Sequence, residues 1–267
     1  MSKVNLDGSA LSFAQDELLT FEETSHRYFV TGVGEMMPVS NVIGLFFKPF
    51  DAEYWSKKKC FGDAEAAARM REEWDCKGTF AGQAGTFLHK QIEDYLNGKQ
   101  PQSLTCTVSY DGTYIRRRKQ VDVSCEWRYF LAFSSYVAYT PFRTEWRVYD
   151  ADAAMAGTID LLCSRHDGTY EIYDWKRSNK INPSERNQWA SGLNGLEHLT
   201  DTTYMHYCLQ QNLYRYMLEK NYGMTVSRMT LVVLHPDLPT YRLVSIPRMD
   251  SEVETIVRYK RGCAMHR

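Results

Sequence analysis

The order of helical and strand-like segments in this chain of 267 residues predicts an α/β fold, with helices packed around a mixed sheet. Helical patterns stand before and after a central group of strand-like segments, and one strong helical pattern lies within that group. The composition, with 43% apolar and 24% charged residues, is ordinary for a globular protein, and the length allows a sizeable core.

The N-terminal part of the chain predicts a hairpin followed by helices. Residues 19–39 read as a hairpin or meander, because polar and glycine-rich turns interrupt strand-like segments. Ser40 and Asn41 are expected to cap one short helix, and Asp51 another. Two longer helices are predicted over 62–75 and 79–97, the second ending before Gly98.

The rest of the chain predicts the sheet. A helix over 120–138 precedes strands at 142–149, 157–164, 170–177, 227–234 and 240–246. A helix over 202–221 separates the third of these strands from the fourth, and Ser251 starts the last helix with a capping box. We expect residues 1–78 to form an N-terminal hairpin and helical extension, and residues 79–267 to form the core domain.

Composition limits the classes of function. There is no run of about 18 apolar residues and no signal-peptide pattern, so no membrane partner is expected. None of the seven cysteines forms a C-x-x-C pair, which favours a reducing, cytoplasmic location without a disulfide framework. The net charge of −1 disfavours a protein that coats nucleic acid, and the basic runs 57–59 and 116–119 are either solvated surface or phosphate contacts.

Two acidic residues and a lysine stand inside the apolar strands predicted at 157–164 and 170–177. A two-residue Asp-Gly loop between these strands would place Asp160 opposite Trp175. A three-residue loop that begins at His166 and ends in a left-handed glycine would instead place Asp160 directly opposite Asp174. In that second arrangement Lys176 lies on the same face of the sheet.

Opposed carboxylates in an apolar sheet need positive charge beside them. At about 4 Å, two unit charges repel by roughly 1 kcal/mol in water and about 4 kcal/mol at an effective dielectric constant of 20. A divalent cation that prefers oxygen ligands is one source of that charge, and Lys176 is a second. The alternative is a structural pair of Asp174 and Lys176, with Asp160 an unrelated acid at the end of its strand.

Two predicted helices carry polar residues at a spacing of four. His89 and Glu93 share one helical face, and so do Gln210 and Tyr214, with Tyr207 one turn earlier. Each helix also has an adequate apolar stripe. Ordinary packing helices therefore remain an alternative explanation of both patterns.

Taken in order, four elements between about residues 80 and 220 resemble the motifs of the PD-(D/E)XK nuclease superfamily, and in particular its RecB-like exonuclease group of phage and viral type. The first and last of them match helices typical of RecB-like members. In chain order the elements are the G-x-x-x-H-x-x-x-E helix of Gly85, His89 and Glu93, the segment GTID at 157–160, the D-x-K strand of Asp174, Trp175 and Lys176, and the Q-x-x-x-Y helix of Gln210 and Tyr214.

The resemblance implies a restriction-endonuclease-like core, with a mixed central sheet flanked by helices, and metal-dependent hydrolysis of phosphodiester bonds. It implies that Mg²⁺ or Mn²⁺ is held by His89, Asp160, Asp174 and the carbonyl of Trp175, while Lys176 positions the attacking water. It also implies supporting roles for further residues: Glu93 at a second, weaker metal, and Tyr207, Gln210, Tyr214 and Arg177 along the groove that holds the substrate.

One family feature is missing. Some RecB-like members bind an iron–sulfur cluster through an upstream cysteine and a closely spaced C-terminal group of cysteines. Here Cys263 is the only cysteine after Cys208. We therefore expect no iron–sulfur cluster.

The resulting expectation is a DNA exonuclease that acts on free ends and holds a single strand in its groove, in a setting of DNA recombination or repair. The candidates to stack on bases of that strand are Tyr207, Tyr214 and the tryptophans at 55, 74 and 175. An endonuclease acting on DNA or RNA is the first alternative, and a non-catalytic DNA-binding protein of the same fold is the second. A homo-oligomer, or a replication or recombination partner, remains open.

Overall fold

A computed structural model describes residues 5–264. In chain order the helices are α1 (Gln15–Leu18), α2 (Val39–Gly44), α3 (Ala52–Lys59), α4 (Ala64–Leu96), α5 (Ser124–Tyr136), α6 (Thr203–Asn221) and α7 (Asp250–Ala264). The strands are β1 (Leu19–Glu22), β2 (Arg27–Val30), β3 (Gly34–Pro38), β4 (Thr105–Asp111), β5 (Arg116–Asp122), β6 (Thr140–Asp150), β7 (Met155–Ser164), β8 (Tyr170–Lys176), β9 (Val226–Val233) and β10 (Arg242–Ser245).

Packing divides the chain into two compact units. The first consists of residues up to Lys48, Val137–Val233 and the residues from Arg242 onward, and the second consists of Pro49–Tyr136 with Leu234–Tyr241. Both units are discontinuous in sequence. The division of the chain into 1–78 and 79–267 stays a prediction.

The first unit is built on a mixed sheet of eight strands. Its order is β1-β2-β3-β7-β8-β9-β10, and β6 pairs with β7 outside that path. The β3–β7 and β8–β9 pairs are parallel and the other pairs are antiparallel. Since β6 pairs along the length of β7, strands β3 and β8 share the opposite edge of β7. The predicted α/β class with a mixed central sheet is confirmed.

The central strands are covered on both faces. Successive residues of a strand point to opposite faces, and both Leu161 and Leu162 of β7 are fully buried, as are Leu231 and Val232 of β9. Helix α6 connects the parallel strands β8 and β9 and packs against β6 and β9. It begins where the Thr202 hydroxyl accepts the N–H of Met205, as expected of an N-cap, so its position within the group of strands agrees with the prediction.

The second unit differs from the prediction in two ways. The helices predicted over 62–75 and 79–97 are one helix, α4, of 33 residues. Glycines such as Gly78 and Gly82 cost a helix about 1 kcal/mol each relative to alanine but do not end it. The region before α5 is a hairpin of β4 and β5, so the predicted start of a helix at residue 120 is wrong. Glu72 of α4 accepts three backbone N–H groups from residues 113–115 at the tip of this hairpin.

The structure tests the N-terminal caps that the sequence predicts for three helices. The Asp51 carboxylate accepts the N–H of Tyr54, which confirms the cap of α3. No side chain caps α2, which follows Pro38, so the caps predicted from Ser40 and Asn41 are wrong. Helix α7 already includes Asp250, which places Ser251 inside its first turn rather than at the cap. No helix in residues 5–264 combines the length and the apolar character that a membrane span requires.

Candidate metal and active site

The loop between β7 and β8 settles which residues oppose each other. The ladder pairs Leu161 with Tyr173 and Ser164 with Tyr170, and the Arg165 N–H donates to the Thr169 carbonyl at 3.0 Å. The loop therefore has three residues and closes with Gly168 at φ +79°. This is the second of the two predicted arrangements. Continued by one residue, the same register places Asp160 opposite Asp174.

Asp160 is flanked by a second acid on the other neighbouring strand. Residues on either side of Glu145 in β6 pair with residues on either side of Asp160 in β7, so the two acids lie opposite each other. Their carboxylate oxygens approach within 4.8 Å. The Asp160 Oδ2 atom also accepts the backbone N–H of Trp175 at 2.8 Å, which fixes the orientation of that carboxylate.

Glu145 has an unusual backbone conformation. Its φ is +44°, in the left-handed region, although it lies within a strand. A non-glycine residue pays roughly 1–3 kcal/mol for such a conformation, and strain of this kind concentrates at functional sites. The strain is stored at the residue that carries one of the two facing carboxylates.

Asp174 and Lys176 form a buried ion pair. Lys176 Nζ lies 2.5 Å from Asp174 Oδ2, and Asp174 is only 2% exposed. Burial alone would lower the pKa of the Lys176 ammonium, but the negative charges of Asp174 and Asp160 outweigh it and raise that pKa. The ammonium also lies 4.6 Å from the centre of the Tyr207 ring.

Gln211 is a site residue that the sequence patterns did not identify. Its side chain is fully buried, and its Nε2 donates to Asp174 Oδ1 at 2.7 Å. Asp174 is thus held by a lysine from its own strand and by a glutamine from α6. The available signal was the spacing of four residues between Tyr207 and Gln211, which places both on one helical face.

The Q-x-x-x-Y residues of α6 face the GTID segment. Gln210 Nε2 donates to the Tyr214 hydroxyl at 3.2 Å, and burial raises the pKa of that phenol well above its ordinary value. A Cβ added at Gly157 would lie 2.5 Å from Tyr214 Cε1, so only glycine allows the ring to approach β7 this closely. Next to Gly157, the Thr158 hydroxyl is 2.9 Å from the Tyr28 hydroxyl of the N-terminal hairpin.

The remaining predicted residues lie in three different settings. Trp175 is 1% exposed and Tyr214 is 5% exposed, so neither ring is available to stack on a base. Arg177 follows the D-x-K strand and is half-buried. His89 and Glu93 lie on α4 in the second unit, where the Glu93 carboxylate accepts from Lys90 Nζ at 3.0 Å.

Comparison with known proteins agrees with this geometry. A family model described as the PD-(D/E)XK nuclease superfamily matches residues 51–260. The chain belongs to this superfamily. The restriction-endonuclease-like α/β fold predicted from its motifs is therefore confirmed, whereas membership of the RecB-like, phage or viral group stays a prediction. No curated protein sequence matches the chain.

Two solved structures are similar to this chain. The crystal structure of SSO0001 is 14% identical in sequence, with 86% of this chain and 76% of that chain covered and a TM-score of 0.33. A protein of Eubacterium rectale named a "putative exonuclease" is also 14% identical, with 52% and 48% covered and a TM-score of 0.34. The family assignment rests on the family model and not on these two structures.

Nucleases of this superfamily generally use divalent metal ions, and the donor set in the first unit suits one. Glu145, Asp160 and Asp174 are all carboxylates on adjacent strands, and hard divalent cations prefer oxygen ligands. Two carboxylates within 4.8 Å gain from a cation between them. The residues present therefore fit a bound divalent cation.

The contact between Gly157 and Tyr214 predicts that Gly157→Ala damages both stability and activity. The added methyl group must displace the Tyr214 ring, which we expect to cost roughly 1–3 kcal/mol of unfolding free energy. Displacement of the ring also disturbs the wall next to Asp160, with a loss of turnover on the order of 10²-fold. Thermal unfolding and steady-state cleavage measure the two effects.

Gly82→Ala is the matched control, because a Cβ there meets no atom within 4 Å. It lies inside α4, so alanine should raise the unfolding free energy by up to about 1 kcal/mol and leave cleavage unchanged. Wild-type stability and turnover in Gly157→Ala would show that the close approach of Tyr214 is not required.

Proposed function

We propose that the protein is a metal-dependent exodeoxyribonuclease that hydrolyses phosphodiester bonds from a free DNA end. The observation that carries this proposal is the meeting of Glu145 and Asp160 within 4.8 Å, beside the buried ion pair of Asp174 and Lys176. Two facing acids, a third acid on the next strand and a lysine ammonium form a set suited to phosphoryl chemistry.

Asp160 and Asp174 hold the cation in this proposal, with Glu145 and the Trp175 carbonyl as further oxygen donors. A bound divalent cation supplies Lewis acidity to the scissile phosphate and lowers the pKa of a coordinated water. Lys176 positions the attacking water and neutralises negative charge that develops on the phosphoryl group. Gln211 keeps the Asp174 carboxylate oriented through its 2.7 Å hydrogen bond.

The groove residues act on the substrate backbone. Gln210 and Tyr214 form the wall that α6 presents toward β7, and Gly157 lets this wall approach. In the proposal, Tyr207 and Arg177 contact the DNA strand. The Tyr207 ring lies beside the Lys176 ammonium, and Arg177 follows Lys176 in the sequence. Tyr207, Gln210 and Arg177 are half-buried, so part of each side chain can contact a strand in a narrow groove, while the buried Tyr214 accepts the hydrogen bond of Gln210.

The choice of metal follows from the ligand atoms. Carboxylate and carbonyl oxygens suit Mg²⁺, whereas an imidazole ligand makes Mn²⁺ more favourable. His89 would supply that imidazole, and Glu93 would serve a second, weaker cation. Both roles rest on the G-x-x-x-H-x-x-x-E sequence pattern of α4.

The role of Lys176 can be separated from simple ion pairing by comparing two lysines. Lys176→Met should lower turnover by about 10²-fold or more, the usual scale for lost electrostatic or acid–base help. Lys220→Met is the control, because Lys220 Nζ also pairs with a buried acid, Asp150, at 2.8 Å. Both variants should lose stability, since each leaves a buried carboxylate without its ammonium partner.

Turnover per folded molecule decides between the two roles. Cleavage by Lys176→Met at the wild-type rate, or an equal loss of turnover in Lys220→Met, would reduce Lys176 to a structural partner of Asp174. Melting curves recorded under the assay conditions supply the folded fraction of each variant.

The proposed ligand role of His89 predicts weaker metal binding when the imidazole is removed. His89→Ala should raise the dissociation constant for Mn²⁺ in a calorimetric titration by at least about tenfold. His166→Ala, in the loop between β7 and β8, should bind Mn²⁺ as the wild type does. Equal affinities in the two variants would remove α4 from the proposed metal site.

The proposed requirement for a free end rests on charge. A chain with a net charge of −1 and short basic runs lacks the broad positive surface that grips internal duplex sites. A protein that holds one strand in a groove needs less positive charge for binding, because contacts to the backbone and contacts to the bases both contribute.

An assay with linear and covalently closed circular DNA tests this requirement. Single- and double-stranded forms of each are incubated with Mg²⁺ or Mn²⁺. We expect short products from linear DNA and intact circles. Rapid cutting of circles, or a clear preference for RNA, would contradict the exonuclease and favour an endonuclease.

A further inference from the structure

Large aromatic side chains are exposed along α3 and the residues that flank it. Phe50, Tyr54, Trp55 and Phe61 are 68%, 53%, 41% and 99% exposed, respectively, and we call these four residues the α3 aromatic surface. Single exposed apolar residues are normal, but several within twelve positions indicate a binding surface. Core packing does not explain them, because more than a third of each side chain is in solvent.

Two lysine ammonium groups lie over the rings of this region. Lys58 Nζ is 5.6 Å from the centre of the Tyr54 ring and 5.1 Å from that of Trp55. Lys59 Nζ is 5.6 Å from the ring of Trp74, which in turn contacts the ring of Phe50. Each aromatic pair therefore carries its own positive charge.

The two lysines are not used in ion pairs. Lys57, the third lysine of the run, pairs with Glu53 at 2.5 Å, whereas within residues 5–264 neither Lys58 nor Lys59 has an acidic partner. Their remaining interactions are with rings that are themselves in contact with water. Such ammonium groups can move to an anionic ligand at little cost.

Phe61 adds an independent indication. Its φ is +51°, in the left-handed region, and its ring is almost completely in solvent. A phenylalanine in this conformation has a strained backbone, and its exposed ring buries almost no apolar surface that would offset the strain. Glycine would satisfy the turn better, so the fold of the second unit does not account for the phenylalanine ring.

We propose that the α3 aromatic surface binds single-stranded DNA, with Tyr54, Trp55 and Phe61 stacking on bases and with Lys58 and Lys59 contacting phosphates. Flat rings interleaved with unpaired lysines match the alternation of bases and phosphates in a single strand. The inference rests on the proposed function, because the bound strand is the one that the nuclease cuts.

Binding is tested on the full chain by fluorescence anisotropy in EDTA, so that no strand is cut. One probe is a fluorescein-labelled thymidine oligonucleotide of about 20 nucleotides, and the other is an abasic strand of the same length and charge. This length is enough for several bases to stack on the protein. The variants are Tyr54→Ala with Trp55→Ala, Phe61→Gly, and Lys58→Gln with Lys59→Gln. Tyr136→Ala is the control, since Tyr136 is 83% exposed and lies in the same unit.

We expect about tenfold weaker binding of the thymidine strand for each stacking partner that is removed. The wild type should bind the abasic strand more weakly than the double aromatic variant binds the thymidine strand, because Phe61 still stacks on a base in that variant. The double lysine variant should show a shallower dependence of log affinity on log salt, by about 0.7 for each phosphate that a lysine no longer neutralises. Phe61→Gly relieves the strained backbone, so weaker binding by that variant cannot be attributed to unfolding.

Two results would overturn the inference. One is binding of the thymidine strand within twofold of wild type by the aromatic variants, which would indicate a protein partner or no partner for this surface. The other is an equal loss of affinity in Tyr136→Ala.

Failure of this inference can be told apart from failure of the proposed function. A wild-type protein that cuts DNA with Mn²⁺ while the α3 variants bind DNA normally contradicts only the inference. A wild-type protein that binds DNA through α3 but cuts nothing contradicts only the proposed function.

Discussion

The repulsion between carboxylates on adjacent central strands is the constraint on which the site depends. Glu145 and Asp160 face each other within 4.8 Å, which at an effective dielectric constant of 20 corresponds to roughly 3–4 kcal/mol of unfavourable interaction. The left-handed conformation of Glu145 adds strain at the same place. A chain that folds only to be stable would not combine these costs, whereas a divalent cation held by these carboxylates would convert the repulsion into binding energy.

The surrounding contacts hold this unfavourable arrangement in register. The Trp175 N–H fixes Asp160, while Lys176 and Gln211 each hold one oxygen of Asp174. The close approach of Tyr214 to Gly157 brings α6 against β7. The sheet therefore supplies the acids and the lysine, and α6 supplies the Gln211 amide that orients Asp174.

Local chemistry explains what could be predicted from the sequence. Helix α6 follows from periodicity, and the turn residues limit the loop between β7 and β8 to two arrangements, one of which is the observed three-residue loop with Asp160 opposite Asp174. Strand β5 could not be found in this way, because its arginines and lysine at 116–119 are all exposed and show no alternation. The strain at Glu145 and the fit of Gly157 to Tyr214 depend on contacts between distant segments, which no local pattern encodes. For Gln211 the spacing from Tyr207 indicated only a shared helical face, and not the hydrogen bond to Asp174.

The most direct test of the metal site is a calorimetric titration of Mn²⁺ into metal-free wild type and Asp160→Asn. The substitution keeps an oxygen that can accept the Trp175 N–H but removes the charge that faces Glu145. We predict at least about tenfold weaker binding, together with a higher melting temperature of the metal-free variant, while Glu254→Gln, an exposed acid paired with Arg258, changes neither. Wild-type affinity for Mn²⁺ in Asp160→Asn would contradict a cation held between the facing carboxylates.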